Sequence, residues 1–307
     1  MGSILSNATI PIFSVIVLGY FLRKKEVITP QWIGPANTVT FYVAVPAVIF
    51  RAVARQETII KLSAPVSLVI LGSIGVALCV AYMVTLLAKI KGDTAATFVH
   101  SSVHGNIGYM AYAVAYYGLG KSGFQTAVFL SPLLLIAQNT VAVLIFALKE
   151  RSGQTKILLK LFLTGICVNP IILAVVSGII VSLFQIHIPV WLGQFIDILA
   201  SMGLPTALLL IGSNLTFTNV GNDVTKLAAV GCIKLLLMPL TGVVLLHLLH
   251  LPADYAKPFA ILLGAPTATV TYVMARQLGG DPVFASEAIS IHTLACAVTY
   301  SISLAVL

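Results

Sequence analysis

The chain has 307 residues, of which 59% are hydrophobic and 8% charged, and a net charge of +8. A soluble domain carries roughly 25% charged residues, so this composition excludes an ordinary water-soluble protein and points to a lipid environment. The basic residues fall at the ends of apolar runs, where membrane topology accounts for them, so the positive balance is no sign of nucleic-acid binding.

Taken in order, apolar runs of about 20 residues, the length that crosses a bilayer, recur along the whole chain. They predict ten spans, at residues 4–22, 31–53, 64–88, 96–118, 122–148, 158–184, 190–213, 224–250, 256–278 and 283–306. The first run has neither the positive n-region nor the small-residue cleavage site of a signal peptide and reads as the first helix. Between the fifth and sixth spans lies the polar stretch 149–156, which divides the chain into residues 1–150 and 151–307. Cys79, Cys167, Cys232 and Cys296 all lie inside apolar runs, without metal-ligand spacing, and read as small hydrophobes. If the N-terminus is outside, the inner loops hold eleven Lys and Arg and the outer loops five, with Lys234 inside a span. That bias places both termini on the non-cytoplasmic side.

The two parts repeat each other. Pro11-Ile12 is answered by Pro170-Ile171, Gly19 by Gly178, Pro46 by Pro205, and Gly72-Ser73-Ile74 by Gly231-Cys232-Ile233, each 159 positions on. Tyr112, Ala115, Gly120 and Phe124 return as Tyr272, Ala275, Gly280 and Phe284, at an offset of 160. A duplicated unit with an odd number of spans must be inverted relative to its twin, an architecture found mostly in transporters.

Two spans depart from ordinary membrane helices. The fourth places Gly105, Asn106 and Gly108 near mid-bilayer, where glycine frees the backbone and the carboxamide offers both donor and acceptor. The ninth holds Pro266, which removes a backbone donor, with Thr267, Thr269 and Thr271 nearby to replace lost partners. Asn106 and Pro266 occupy corresponding places in the repeat, and paired interrupted spans point to a transporter binding site. Half-helix N-termini there favour an anion. The plainer alternative is that the small residues merely permit close helix packing.

These residues, with Asn37 to Phe50, Asn169-Pro170 in the sixth span and Pro266-Thr267-Ala268-Thr269 followed by Tyr272 and Ala275, resemble the auxin efflux carrier family. That family includes plant PIN carriers and bacterial permeases for malate or malonate. The resemblance covers nearly the full length. It implies an all-α membrane protein of ten helices in two inverted five-helix repeats, with broken, crossing fourth and ninth helices, as in bile-acid symporters and sodium/proton antiporters. It further implies a scaffold of spans 1, 2, 6 and 7, a transport part of spans 3–5 and 8–10, and movement of one past the other like an elevator. Asn106 matches the family's substrate-contacting asparagine. Two departures stand out: Ala113 occupies the place of the fourth span's crossover proline, and Val270 and Thr271 replace Asn and Pro found in relatives.

Other polar residues extend the candidate list. Ser102 shares a helical face with Asn106. His104 is either a proton site or a neutral hydrogen-bonding residue. Gln138 and Asn139 sit mid-span, where one of them faces the site or both join helices. Lys234 is a functional charge or a snorkelling one. Glu287 and His292 are proton-carrier candidates on different faces of the tenth span. Tyr109, Tyr112 and Tyr272 would contact an apolar part of a substrate.

The sequence therefore predicts a secondary carrier for a small organic anion, such as a dicarboxylate or an auxin-like carboxylate. Its expected binding residues are Asn106, Ser102, His104, Gly105, Gly108, Tyr109, Tyr112, Gln138, Asn139, Pro266, Thr267, Thr269 and Tyr272. Coupling to H+ or Na+ is left open through His104, Lys234, Glu287 or His292. No phosphate loop and no catalytic constellation is present, so neither an ATP motor nor an enzyme is expected, and no cofactor or metal. A dimer through the scaffold helices stays open. The competing readings are a sodium-coupled or proton-coupled carrier of the bile-acid type, and a channel or receptor.

Overall fold

The computed structural model describes residues 9–55, 63–148, 163, 167–217 and 220–307. The 149–156 linker, the division at residue 150, the start of the first span and most of the start of the sixth lie outside the described residues. So do Lys61 and the basic residues between 149 and 160.

The described residues are helical throughout, with no strand: α1 (Ile10–Lys24), α2 (Pro30–Ala54), α3 (Ala64–Leu87), α4 (Gly92–Val103), α5 (Ile107–Leu148), α6 (Pro170–Leu183), α7 (Val190–Ser213), α8 (Asp223–Leu248), α9 (Ala256–Leu263), α10 (Val270–Gln277) and α11 (Pro282–Val306). Six of these, α2, α3, α5, α7, α8 and α11, are long and apolar enough to cross a membrane. Their outward faces carry bare Leu, Val, Phe and Tyr, such as Leu68, Leu86, Phe195 and Leu240. The chain is an integral, multi-pass membrane protein.

Local sequence explains the irregularities. Pro46 and Pro239 each follow a π-helical turn, Thr40–Ala44 in α2 and Cys232–Leu237 in α8. A proline ring clashes with the carbonyl four residues back, Tyr42 and Leu235 here, and the helix widens there by one residue. In α5, Gly120 takes φ 68° and ψ −167°, a conformation that favours glycine, and splits the element into residues 107–119 and 121–148.

Two sets of contacts organise the bundle. On one side α1 packs along α7, and the second half of α2 packs on α6 and α7. Small residues bring the backbones together: a methyl on Gly212 would strike the Ile16 carbonyl, and one on Gly19 would strike that of Leu209. On the other side α8 packs on α3 and α9, α9 on α5, and α11 on α4, α8 and α10.

Candidate functional site

The predicted fourth and ninth spans are each broken, and the two breaks touch. α4 stops at Val103 and helical structure resumes at Ile107, while α9 stops at Leu263 and α10 begins at Val270. Gly105 and Thr267 form an isolated antiparallel bridge. The Asn106 N–H donates to the Pro266 carbonyl at 2.7 Å, and the Ala268 N–H donates to the His104 carbonyl at 3.0 Å. Each strip of unwound backbone thus satisfies part of the other, as it must away from water. The Thr267 hydroxyl adds a bond to the Ser101 carbonyl (3.1 Å) and meets His292 Nδ1 (2.8 Å).

Side chains complete the satisfaction of the first break. Gln138, fully buried on α5, donates from Nε2 to the Val103 carbonyl (3.0 Å) and accepts the Gly105 N–H at Oε1 (3.3 Å). Its carboxamide bridges the gap between α4 and the restart of the helix. Asn106 caps that restart, with Oδ1 accepting from the Tyr109 N–H at 3.3 Å. The arrangement brings the C-termini of α4 and α9 and the N-termini of α5 and α10 to one locus, so negative and positive helix ends face one another.

A cavity of about 990 Å³ extends from this crossing. The breaks form its head through His104, Gly105, Asn106, Ala268 and Thr269. Its walls include Asn37 and Phe41 of α2, Tyr109 and Asn139 of α5, Asn169 before α6, Asn214 after α7, and Tyr272 of α10. Ile33, Thr216, Pro282 and Val283, at or beside helix ends, also line it. Among the described residues, the lining contains five asparagines and no Asp, Glu, Lys or Arg. Tyr109 is held upright by its hydroxyl, which donates to Asn37 Oδ1 at 2.8 Å. Asn169 caps α6 through Oδ1, accepting from the N–H groups of Ile171 and Ile172, with Pro170 at the first helical position.

Of the residues singled out from sequence, His104, Gly105, Asn106, Gly108, Tyr109, Asn139, Thr269 and Tyr272 line this cavity. Ser102, Tyr112, Gln138, Pro266 and Thr267 do not. The helical spacing invoked for Ser102 and Asn106 fails because α4 ends between them; the Ser102 hydroxyl donates to the Phe98 carbonyl of its own helix. Tyr112 is buried with its hydroxyl 2.5 Å from Ser131 Oγ. His104 Nδ1 meets Nε2 of His100 at 3.0 Å, a partner the sequence reading did not name. Lys234 does not snorkel: it is fully buried and its Nζ donates to the Leu263 carbonyl. Glu287 and His292 are both buried on α11, and His292 Nε2 meets the Leu227 carbonyl. Asn37, Asn169 and Asn214 were not picked out as site residues. Asn169 before Pro170 carries the signal of a helix start, but nothing in the sequence puts the three on one wall.

A second cavity, of about 1020 Å³, lies at the far end of α2, α6 and α7, where Arg51 and Arg55 pair with Asp197 at 3.6 and 3.0 Å. It is remote from both breaks.

Comparison with known proteins bears on this arrangement. The profile of a family described as membrane transport protein matches residues 4–304. Over 297 residues the chain is 27% identical to a protein of Rhizobium meliloti (strain 1021) named "Putative malonate transporter", covering 94% of this chain and 92% of that one.

Proposed function

The chain belongs to the membrane transport protein family, and from that premise we propose a secondary carrier for small carboxylates, with a malonate-like dicarboxylate as the first substrate to test. The observation that carries the reading is the pair of mutually hydrogen-bonded helix breaks at the head of an asparagine-lined cavity. Helix N-termini and carboxamide N–H groups donate to a carboxylate without a countercharge in the wall. Asn106 and Thr269 are the donors at the cavity head, and Tyr109 and Tyr272 bound its apolar part.

In this reading the chain is two inverted five-helix repeats, with α4 and the first part of α5 as one broken span and α9 and α10 as the other. The packing of α1, α2, α6 and α7 on one another supports a scaffold, and α3–α5 with α8–α11 form the moving part. With both termini outside, as the Lys and Arg bias favours, the cavity mouth faces the cytoplasm. The described conformation is then inward-facing, and alternating access carries the head of the cavity across the membrane.

The test is uptake of radiolabelled malonate and of related mono- and dicarboxylates into proteoliposomes, with the Asn106→Ala variant beside wild type. Saturable uptake by wild type is expected, with affinity weakened about tenfold in the variant, the worth of one hydrogen bond to a charged group. Non-saturating flux would make the protein a channel, and ligand binding without flux would make it a receptor.

A further inference from the structure

Lys234 is a lysine buried to 0% exposure within the membrane region, and it needs a physical account. The ion pairs among the described residues join Arg51 and Arg55 to Asp197 and Lys226 to Asp223, so none gives Lys234 a carboxylate. Its Nζ instead donates to the carbonyl of Leu263, the last residue of α9, at 2.5 Å and lies 3.5 Å from Met238 Sδ. A β-carbon on Gly105 would come within 3.0 Å of the same nitrogen. Gly105 lies one residue past His104, the C-cap of α4. The ammonium therefore sits on the carbonyl end of α9, in that half-helix's partial negative charge, and beside the unwound backbone of the first break. The π-helical turn of Cys232–Leu237, set by Pro239, forms the stretch of α8 that presents Lys234 to this point.

In carriers built on discontinuous helices, unwound carbonyls and half-helix C-termini are where a coupling Na+ or H+ is held. Resting on the carrier reading above, we propose that the Lys234 ammonium is the resident cation of the crossing: it occupies the seat that a bound Na+ would fill, so anion binding and transport need no sodium. Lys234 does not line the cavity, so it acts on the anion through the field behind Gly105 rather than by contact. It is a positioning and charge-supplying residue, and it is the cation at the head of a cavity whose described lining holds no Lys or Arg.

Two measurements test this. In proteoliposomes, wild-type malonate uptake is expected to be equal in sodium and choline media; a sodium requirement overturns the proposal. In detergent without substrate, thermal unfolding of wild type is expected to be insensitive to replacing choline with sodium. The Lys234→Ala protein, with the seat emptied, is expected to gain stability saturably with Na+. Lys234→Met, which keeps the bulk and loses the charge, is expected to lose malonate-dependent stabilisation in both media. A Lys234→Ala protein that ignores sodium, or a Lys234→Met protein that binds malonate as wild type does, overturns the proposal. Should neither variant fold, the wild-type sodium comparison still decides. A wild-type protein that moves no carboxylate sinks the carrier reading, while the sodium response of substrate-free Lys234→Ala still reports on the seat.

Discussion

Replacing Gln138 with leucine removes the clamp across the first helix break while nearly preserving volume. Two backbone groups lose their partner, the Val103 carbonyl at 3.0 Å and the Gly105 N–H at 3.3 Å. A buried polar group left unsatisfied costs about 1–3 kcal/mol, so the pair is worth about 2–6 kcal/mol. Gly105 borders the cavity, and water reaching its N–H lowers that half of the cost. The expected loss is about 2–4 kcal/mol. At roughly 2–4 °C per kcal/mol, the detergent-solubilised protein should melt about 5–15 °C lower. Thr140→Val, two residues along, is the control, since it removes only a hydroxyl bonded to the Ile136 carbonyl of its own helix. Thermal unfolding followed by size-exclusion recovery reads both variants. Equal melting of Gln138→Leu and Thr140→Val would refute the view that this carboxamide holds the break together.

Three further outcomes follow from packing and charge. Gly105→Ala brings a methyl to 3.0 Å from both Ala265 Cβ and Lys234 Nζ; a cost of about 1–3 kcal/mol is expected, read as a lower melting temperature with loss of uptake. Gly212→Ala drives a methyl into the Ile16 carbonyl and should part α1 from α7, whereas Gly221→Ala has open space and should be neutral or slightly stabilising; comparing their melting temperatures checks the close approach. Asp197→Asn removes the partner of Arg51 and Arg55 at a partly exposed site. It should change stability by less than about 1 kcal/mol, with unfolding nearly unaltered between low and high salt.

The breaks themselves were legible because their causes are local: Gly105, Asn106 and Pro266 act on their own backbone, and each can be read where it stands. The multi-pass membrane character was legible for the same reason, from runs of apolar residues. What the breaks bond to was not. Gln138 reads as a binding residue or a helix–helix bonder, since its partners Val103 and Gly105 lie about 35 residues away and are backbone atoms that carry no residue signature. Lys234 reads equally as a functional charge or a snorkelling one until Leu263 is brought to it. Helical spacing misplaced Ser102 because the period was carried across the end of α4. Tyr112 was drawn to the site by its nearness in sequence, yet its hydroxyl turns to Ser131. Asn37, Asn169 and Asn214 come from three separate helices, and only tertiary packing puts them on one wall.

The contact between the two breaks has a mechanical consequence. Asn106 to Pro266 and Ala268 to His104 act as a rivet. Breaking them would leave four backbone groups to be satisfied, at about 1–3 kcal/mol for each that cavity water does not reach, so prising the crossing open would cost several kcal/mol. Thermal motion will not use that seam as a gate. If the protein works by the proposed alternating access, the motion that exposes the cavity head to the opposite side must carry both strips as one piece. The compliant boundary is then the opposing wall, where Asn37, Asn169 and Asn214 reach in from α2, α6 and α7. In the proposed carrier, an anion lodged there would touch both bodies at once and serve as the latch between them.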